Sequence, residues 1–152
     1  MPAKPIPDGY HAVTPYLIVD DGAAAIEFYK RAFGARHHVR IDRPDGKVMH
    51  AEMKLDDSII MLADEAPERG APSPRTLGGT PVGILLYVED VDVRFQQAVD
   101  AGGVVERPVM DQPYGDRSGT LKDPFGHKWT IATHIEDVSV EETIKRYQQG
   151  AQ

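Results

Sequence analysis

The chain has no cysteine among its 152 residues. This absence excludes disulfide frameworks, thiolate zinc sites and cysteine nucleophiles, and it is consistent with a reducing compartment. Basic residues are fewer than acidic ones: the chain has 17 Lys and Arg and 24 Asp and Glu, so its formal net charge is −7. That charge opposes attraction to phosphate backbones, so we expect no nucleic acid partner.

Long apolar runs are missing as well. No segment approaches the roughly 18 apolar residues that are needed to cross a bilayer. Residues 1–9 contain three prolines and a glycine but no apolar stretch of the signal-peptide type. We therefore expect no membrane partner and a cytoplasmic location.

What the chain does have is an internal repeat. The segment LIVDD at residues 17–21 recurs as LYVED at residues 86–90, which places Val19 and Val88 69 residues apart. The same offset carries Gly34 onto Gly103. A period this long, found only twice, indicates two fused copies of one module rather than a solenoid of many repeats.

Hydrophobic periodicity predicts the same order of elements in both copies. In the first copy, Asp20 and Asp21 offer an N-cap and Gly34 a stop for a helix whose apolar residues recur at spacings of three and four. Strands are predicted around this helix at Val13–Val19, Arg36–Asp42, Val48–Leu55 and Ser58–Ala63. The predicted unit is βαβββ.

The second copy repeats this pattern after a segment rich in proline and glycine. Its strands are predicted at Val82–Val88, from Val104, at Ser118–Lys122 and at His127–Thr133, and Pro108 restricts the second of these to an edge or a bulge. Ser139 and Glu142 form a capping-box pair for a terminal helix. The predicted organisation is an arm at 1–11, one bipartite domain at 12–134 (module one 12–64, linker 65–81, module two 82–134) and a helical tail at 135–152.

Several short motifs support a family resemblance. They are AIEFY at 25–29, HAE at 50–52, MLADE at 61–65, YVEDVD at 87–92, YGDR at 114–117 and DPFGH at 123–127. In this order the chain resembles the vicinal oxygen chelate superfamily, which includes glyoxalase I, extradiol dioxygenases and the fosfomycin and bleomycin resistance proteins, and within it the PhnB-like branch. The resemblance implies an α+β fold in which tandem βαβββ modules form a curved mixed sheet with a central cup. Relatives pair such modules within or between chains, so a homodimer is expected.

The resemblance also identifies four positions that hold metal ligands in the metal-using relatives. Here these positions are Thr14, Met61, Gly83 and Thr130. None is a histidine or a carboxylate, and such side chains cannot replace imidazole or carboxylate donors around a divalent ion. We therefore predict no cofactor and no metal site, and a divalent metal only with a displaced ligand set.

His50 and Glu52 are the candidate catalytic residues. Residues two apart on a strand project from the same face, so this imidazole and carboxylate would lie side by side. Such a pair is suited to proton transfer. It also fits a simple ligand contact or a structural polar pair, and as a metal site it would need His11 or His134 from elsewhere.

Tyr114 and Arg117 are candidate ligand-binding residues at the mouth of the cup. A glycine between them permits close approach of the backbone, while the tyrosine offers an aromatic wall and the arginine a forked cation. The alternative is that Arg117 pairs with acidic residues of the chain. Of the remaining residues, His134 is placed at the rim, His127 is expected to bond locally, and Trp129 is expected in the core.

Three classes of function remain open, in order of preference. The first is a protein that binds a small-molecule ligand in a cup lined by Thr14, Met61 and Thr130, with His50, Glu52 and Arg117 orienting it. The second is a lyase, isomerase or dioxygenase that uses a displaced metal or the His50 and Glu52 pair. The third is a regulatory or assembly module whose cup is filled by its own side chains.

Overall fold

The computed structural model describes residues 2–150 and contains two four-stranded sheets. Module one consists of β1 (Tyr16–Val19), α1 (Gly22–Phe33), β2 (Arg36–Asp42), β3 (Val48–Leu55) and β4 (Ser58–Asp64). Module two consists of β5 (Gly83–Tyr87), α3 (Val91–Asp100), β6 (Val104–Asp111), β7 (Asp116–Lys122) and β8 (Lys128–His134). This confirms the predicted α+β fold of tandem βαβββ modules.

Both sheets have the same topology. The strand order is β1-β4-β3-β2 in module one and β5-β8-β7-β6 in module two, and the first strand of each module runs parallel to its last. Tyr16 lies opposite Met61, and Leu85 lies opposite Thr130. Both pairs are related by the offset of 69 residues, so the sequence repeat is a repeat of strand register.

The helix boundaries follow from the capping residues that the sequence provides. The carboxylate of Asp21 accepts a hydrogen bond from Ala24 N at 3.0 Å, and the carboxylate of Asp90 accepts one from Val93 N at 3.2 Å. Gly34 ends α1 with φ of 66°, a left-handed conformation that favours glycine. The strand β1 is shorter than predicted, because Pro15 has no N–H to donate to the sheet.

The linker contains more structure than its composition predicted. It forms a 3₁₀ helix at Pro67–Arg69 and a short helix α2 at Pro74–Leu77. Ser73 caps α2 by accepting from Thr76 N at 3.3 Å. A proline at the first helical position is favourable, because its missing N–H has no partner there in any case. The linker is therefore a folded connection, and α4 (Val140–Gly150) follows module two.

The core lies between the helices and the sheets and joins the two modules. Phe28, Tyr29 and Phe33 on α1 form an aromatic cluster with Phe125 and Trp129 of module two. The rings of Phe33 and Trp129 are 4.5 Å apart between centroids. Trp129 is fully buried, which confirms the expectation that it belongs to the core.

Further contacts across the module boundary are hydrogen bonds to backbone carbonyls. Arg94 donates to Phe33 O at 2.6 Å, and Gln97 donates to Arg31 O at 2.8 Å, so two side chains of α3 satisfy the C-terminal end of α1. His127 Nε2 lies 2.9 Å from Ile18 O. His127 also bonds locally as expected, because its backbone N–H donates to Asp123 Oδ1 at 2.9 Å, but its ring bridges to β1 of the other module.

The helices cover one face of each sheet, and we call the opposite faces the open faces of module one and module two. In module one the open face carries Tyr16, Glu52 and Met61, whereas Ala51, Met53 and Leu62 are fully buried on the helix side. No helix within residues 2–150 is long and apolar enough to span a membrane.

Candidate functional site

A row of three side chains crosses the open face of module one. Tyr16 on β1 lies opposite Met61 on β4, and Met61 in turn lies opposite Glu52 on β3. Residues in register on adjacent strands project from the same face. His50 shares this face with Glu52 because the two are separated by two residues, as the sequence predicts.

Two members of this row, Glu52 and Met61, line a cavity that we call the module-one pocket, with a volume of about 330 Å³. Such a volume is at the small end of the range for sites of small organic ligands. Its walls come from the sheet and from the N-terminal segment of the chain, and they are Pro5, Ile6, Pro7, Tyr10, His11, Ala12, Thr14, Glu52 and Met61. The predicted ligand-binding residues Thr14 and Met61 thus lie together, beside the candidate catalytic residue Glu52.

Glu52 is the buried polar group of the pocket. It is 8% exposed and accepts hydrogen bonds from two directions. Tyr10 donates its hydroxyl to Oε2, and His50 Nε2 lies 3.0 Å from Oε1. His38 Nε2 approaches Oε2 to 3.9 Å from the part of β2 where the register shifts between His37 and Val39.

His50 is held between a carboxylate and a phenol. Its Nδ1 lies 2.9 Å from the hydroxyl of Tyr16. Because a carboxylate only accepts, Nε2 carries a proton toward Glu52, and Nδ1 accepts the Tyr16 proton whenever the ring carries no second proton. The result is a chain of three groups, Tyr16, His50 and Glu52, in which Tyr16 is the exposed end with 49% of its surface accessible.

The pKa values in this chain shift in opposite directions. Burial by itself raises the pKa of Glu52, but the hydrogen bonds from His50 and Tyr10, together with the charges of His50 and His38, outweigh burial and hold it below its ordinary value. The pKa of Tyr10 is raised, first by its hydrogen bond to Glu52 and then by desolvation. Desolvation and the charge of Glu52 raise the pKa of Tyr16. Glu52 is therefore ionised and both phenols are protonated at neutral pH.

The other predicted site residues lie elsewhere. Thr130 is on the open face of module two, where its hydroxyl is 2.9 Å from that of Thr120. Tyr114 is in the turn between β6 and β7 and is 39% exposed. Arg117 binds the carboxylate of Asp92 with two nitrogens, at 3.0 and 2.9 Å, and donates to Asp111 at 3.0 Å. The alternative interpretation of Arg117, pairing with acidic residues, is the one that matches this geometry, and its side chain faces α3.

A second polar cluster lies at the end of the open face of module two. Asp116, which is 3% exposed, accepts from the hydroxyl of Tyr87 at 2.8 Å and lies 2.7 Å from His134 Nδ1. His134 Nε2 lies 2.8 Å from Asp137. The hydrogen bond to Asp137, and then the one to Asp116, raise the pKa of His134. His134 thus lies at the rim, where strand parity predicts it.

Sequence reasoning missed Tyr10, Tyr16 and Asp116. The alternation of side chains along a strand could have predicted the faces of Tyr16 and Asp116. Tyr16 shares a face with Ile18 on β1, and Asp116 shares a face with Ser118 on β7. Tyr10 had no such signal. Its place in the site depends on the path of an irregular segment, which no sequence period specifies.

The four positions that bear metal ligands in metal-using relatives do not fit a divalent ion here. Thr14 donates its hydroxyl to His11 O at 3.1 Å, Thr130 pairs with Thr120, Gly83 has no side chain, and Met61 offers a thioether. Within residues 2–150 no group of three or more histidine and acidic residues is arranged to hold a metal ion.

Comparisons with known proteins agree with the fold. The family model described as "Glyoxalase/Bleomycin resistance protein/Dioxygenase superfamily" matches residues 10–131. An uncharacterized protein of Mycobacterium bovis is 45% identical over 134 residues, covering 86% of this chain and 88% of that protein. An uncharacterized protein of Mycobacterium tuberculosis strain H37Rv is also 45% identical over 134 residues, with 86% and 79% covered.

Solved structures show the same architecture. TioX from Micromonospora sp. ML1 superposes with a TM-score of 0.65 at 26% identity, covering 82% of this chain and 99% of that chain. A gene product from Arabidopsis thaliana gives 0.63 at 28%, covering 81% and 98%. A PhnB protein from Bacillus cereus gives 0.63 at 19%, covering 81% and 99%, which is a likeness of fold alone.

Proposed function

Because the chain belongs to the glyoxalase/bleomycin resistance protein/dioxygenase superfamily, we propose that it binds a small organic ligand on the open face of module one. The observation that carries this proposal is the module-one pocket, where an ionised, buried Glu52 lies beside the apolar side chain of Met61. A cavity that combines apolar walls with a small number of placed polar groups is the usual form of a small-ligand site. The ligand is held without a metal ion.

The chemistry of the pocket restricts the ligand. The pocket presents hydrogen-bond acceptors at Glu52, so a bound group must donate a hydrogen bond or carry positive charge. Carboxylates and phosphates would face a buried negative charge and are disfavoured. We also propose that the chain belongs to the PhnB-like branch of the superfamily, which the HAE motif at residues 50–52 supports.

A fragment screen by NMR on isotopically labelled protein tests the binding proposal. We expect bound fragments to shift the amide signals of Thr14, Glu52 and Met61. The variant Met61→Trp fills the pocket and should abolish these shifts. Met49→Trp is the matched control, because Met49 is a 51% exposed methionine on the same strand as Glu52 and outside the pocket lining. Fragments that bind elsewhere, or that bind Met61→Trp equally well, would refute the proposal.

A metal-content assay tests the absence of a metal. Protein purified without chelator should contain no stoichiometric divalent ion, and added zinc, nickel or manganese should not change fragment affinity. A tightly bound ion at one equivalent per chain would show that a displaced ligand set exists.

One observation favours a second candidate function, proton transfer. The order Tyr16, His50, Glu52 allows a proton of the ligand to move to the Tyr16 oxygen while the phenolic proton passes to His50 Nδ1, with Glu52 stabilising the resulting imidazolium. This would make the protein a lyase or isomerase that works without a metal. The raised pKa of Tyr16 means that its proton must leave in concert with uptake of the ligand's proton, not beforehand.

Hydrogen exchange separates the two functions. A fragment with an acidic C–H bond, bound in deuterated water, should exchange that hydrogen in the wild type but not in Tyr16→Phe if proton transfer takes place. Affinity for the fragment should be similar in both proteins. If the wild type does not exchange this hydrogen, the protein binds the fragment without catalysing proton transfer.

A further inference from the structure

The described part of the N-terminal arm, residues 2–11, crosses the open face of module one without forming a helix or strand. Residues 2–9 are all exposed, and Tyr10 is the first residue of the arm whose side chain is partly buried. A turn brings Tyr10 N within 3.2 Å of Pro7 O. The arm therefore folds back so that a phenol enters the pocket while the residues before it stay in water.

Few contacts hold the arm to the module. Besides the Tyr10 contact, His11 Nε2 lies 3.1 Å from Asp57 O, and the side chains of His11 and Asp57 are 57% and 87% exposed. Exposed pairs of this kind contribute little to stability. The Tyr10 hydroxyl, which donates to the buried carboxylate of Glu52, is thus the principal polar anchor of the arm.

The partners of Tyr10 are those that an external ligand would need. Its hydroxyl takes the Glu52 oxygen Oε2, and Oε1 is already taken by His50. Its ring lies edge-on to the ring of His38, with centroids 6.1 Å apart. With Tyr10 in place, each oxygen of Glu52 already accepts one hydrogen bond from a side chain of the protein.

We infer that Tyr10 is a built-in competitor for the module-one pocket. On the proposed function, which this inference deepens, the preferred ligand is a flat ring bearing a neutral hydroxyl that replaces Tyr10 at Glu52 without a metal ion. The arm must leave before such a ligand binds, so the apparent affinity is the intrinsic affinity multiplied by the fraction of molecules in which the arm is open. The Tyr10 side chain and the ligand are mutually exclusive partners of Glu52, and the ligand enters the open face at Glu52 and Met61 without the part of the pocket wall that the arm supplies.

Binding of p-cresol, which has the structure of a tyrosine side chain, tests this directly. In Tyr10→Ala the competitor is gone, so p-cresol should bind about tenfold or more tightly than in the wild type. Tyr10→Phe keeps the ring but loses the hydroxyl, and it should show a smaller gain. Tyr147→Ala is the matched control, because Tyr147 is 52% exposed on α4 and away from the pocket, and it should bind as the wild type does.

Two further measurements define the mechanism. Toluene has the shape of p-cresol without the hydroxyl, and Tyr10→Ala should prefer p-cresol to toluene because only p-cresol donates to Glu52. In the wild type, saturating p-cresol should narrow the NMR signals of residues 2–10, as expected for a released arm.

The outcomes distinguish this inference from the proposed function. If fragments bind at Glu52 and Met61 but Tyr10→Ala binds p-cresol no better than the wild type, the inference is wrong and the proposed function stands. If neither p-cresol nor any fragment binds on the open face in either protein, both fail. A gain in Tyr10→Ala that is equal for p-cresol and toluene would show that the variant gained only an apolar cavity, and would overturn the assigned ligand class.

Discussion

Asp123 connects the two modules through one buried side chain. Its carboxylate accepts hydrogen bonds from Tyr29 of module one at 2.6 Å and from the Trp129 indole at 2.9 Å. It also accepts from the backbone N–H groups of Phe125 and His127, each at 2.9 Å. Asp123 therefore accepts four hydrogen bonds, and these hold the DPFG turn in place. This is the structural role of the motif, which in the sequence served as part of the family resemblance.

Replacing Asp123 tests this role. Asp123→Ala leaves the Tyr29 hydroxyl and the Trp129 indole buried without an acceptor, and we expect the free energy of unfolding to fall by about 3–5 kcal/mol. Urea denaturation measures the change. Tyr29→Phe removes a single donor and should cost about 1–2 kcal/mol. Equal losses in both variants would contradict the view that Asp123 serves several donors at once.

His134 provides a prediction on pH at the same scale. Its pKa in the folded protein is raised by Asp137 and then by Asp116, so the contribution of this histidine to stability is present at low pH. That contribution is lost as the pH rises through the folded pKa. In an NMR titration, the ring of His134 should titrate above the ordinary value of about 6.5.

The variant Asp137→Asn separates the causes. It removes the larger of the two effects and should lower the pKa of His134 toward its ordinary value. Asp45→Asn, at a distant exposed carboxylate, should leave the titration unchanged. A His134 pKa that does not respond to Asp137→Asn would show that the 2.8 Å contact does not persist in solution.

At the scale of elements, the sequence predicted the regular parts well. Residue periodicity and caps located the helices α1 and α3 of the two modules. The second strand of module two has the irregular register that Pro108 suggested, with shifts between Val105 and Met110. These features depend on local pattern. The helix α2 was missed, because four residues that begin with a proline carry no period.

The site was harder to predict than the fold. The side-by-side placement of His50 and Glu52 follows from strand geometry and is present, because the spacing of two is a local property. Strand alternation also predicts that Arg117 and Ser118 project from opposite faces of β7. The acidic partners of Arg117, on α3 and β6, come from other parts of the chain and had no such signal. The arm over the pocket and the bond from His127 to Ile18 depend on tertiary packing alone.

The turn between β6 and β7 offers a test of how elements join. Gly115 has φ of 101°, and a Cβ there would overlap the carbonyl oxygen of Glu136. Its own carbonyl accepts from Ile135 N at 2.9 Å and from Glu136 N at 3.0 Å. The left-handed backbone and the close approach both require glycine, so this turn fixes the start of the C-terminal tail.

Gly115→Ala should therefore destabilise the protein by about 3 kcal/mol, through backbone strain and displacement of residues 135–136. Gly46→Ala is a matched control. Gly46 also has positive φ, at 85°, but nothing lies within 4 Å of the place that an alanine methyl group would take, so only the backbone cost of about 1 kcal/mol applies. Thermal unfolding of the two variants measures the difference. Similar midpoints would mean that the backbone at Glu136 moves away from the added methyl group at little cost in free energy.

At the scale of the whole molecule, the open face of module two presents an exposed apolar surface. Leu85, Tyr87 and Met110 are 48%, 58% and 54% exposed on it. The strand β5 has β8 as its neighbour on one side and no strand on the other within residues 2–150. Apolar patches and free edges of this kind are commonly covered by association. We propose that a second copy of the chain covers this face.

Light scattering tests the proposed homodimer. At micromolar concentration the wild type should have the mass of two chains, and Leu85→Lys should shift the equilibrium toward the monomer. Val93→Lys is a control of similar exposure on the helix α3, away from the open face, and should remain dimeric. A wild-type monomer at these concentrations would refute the proposal.

The dependence of α1 on α3 has a consequence for synthesis in the cell. The carbonyl groups of Phe33 and Arg31 at the end of α1 accept hydrogen bonds from Arg94 and Gln97, which are synthesised 61 and 66 residues later. Trp129, which packs on the aromatic residues of α1, is synthesised later still. A ribosome that adds about 10 residues each second needs several seconds to supply them. During that interval the aromatic residues of α1 have no partner from module two and remain exposed to solvent. The risk that the nascent chain misfolds is therefore greatest midway through translation.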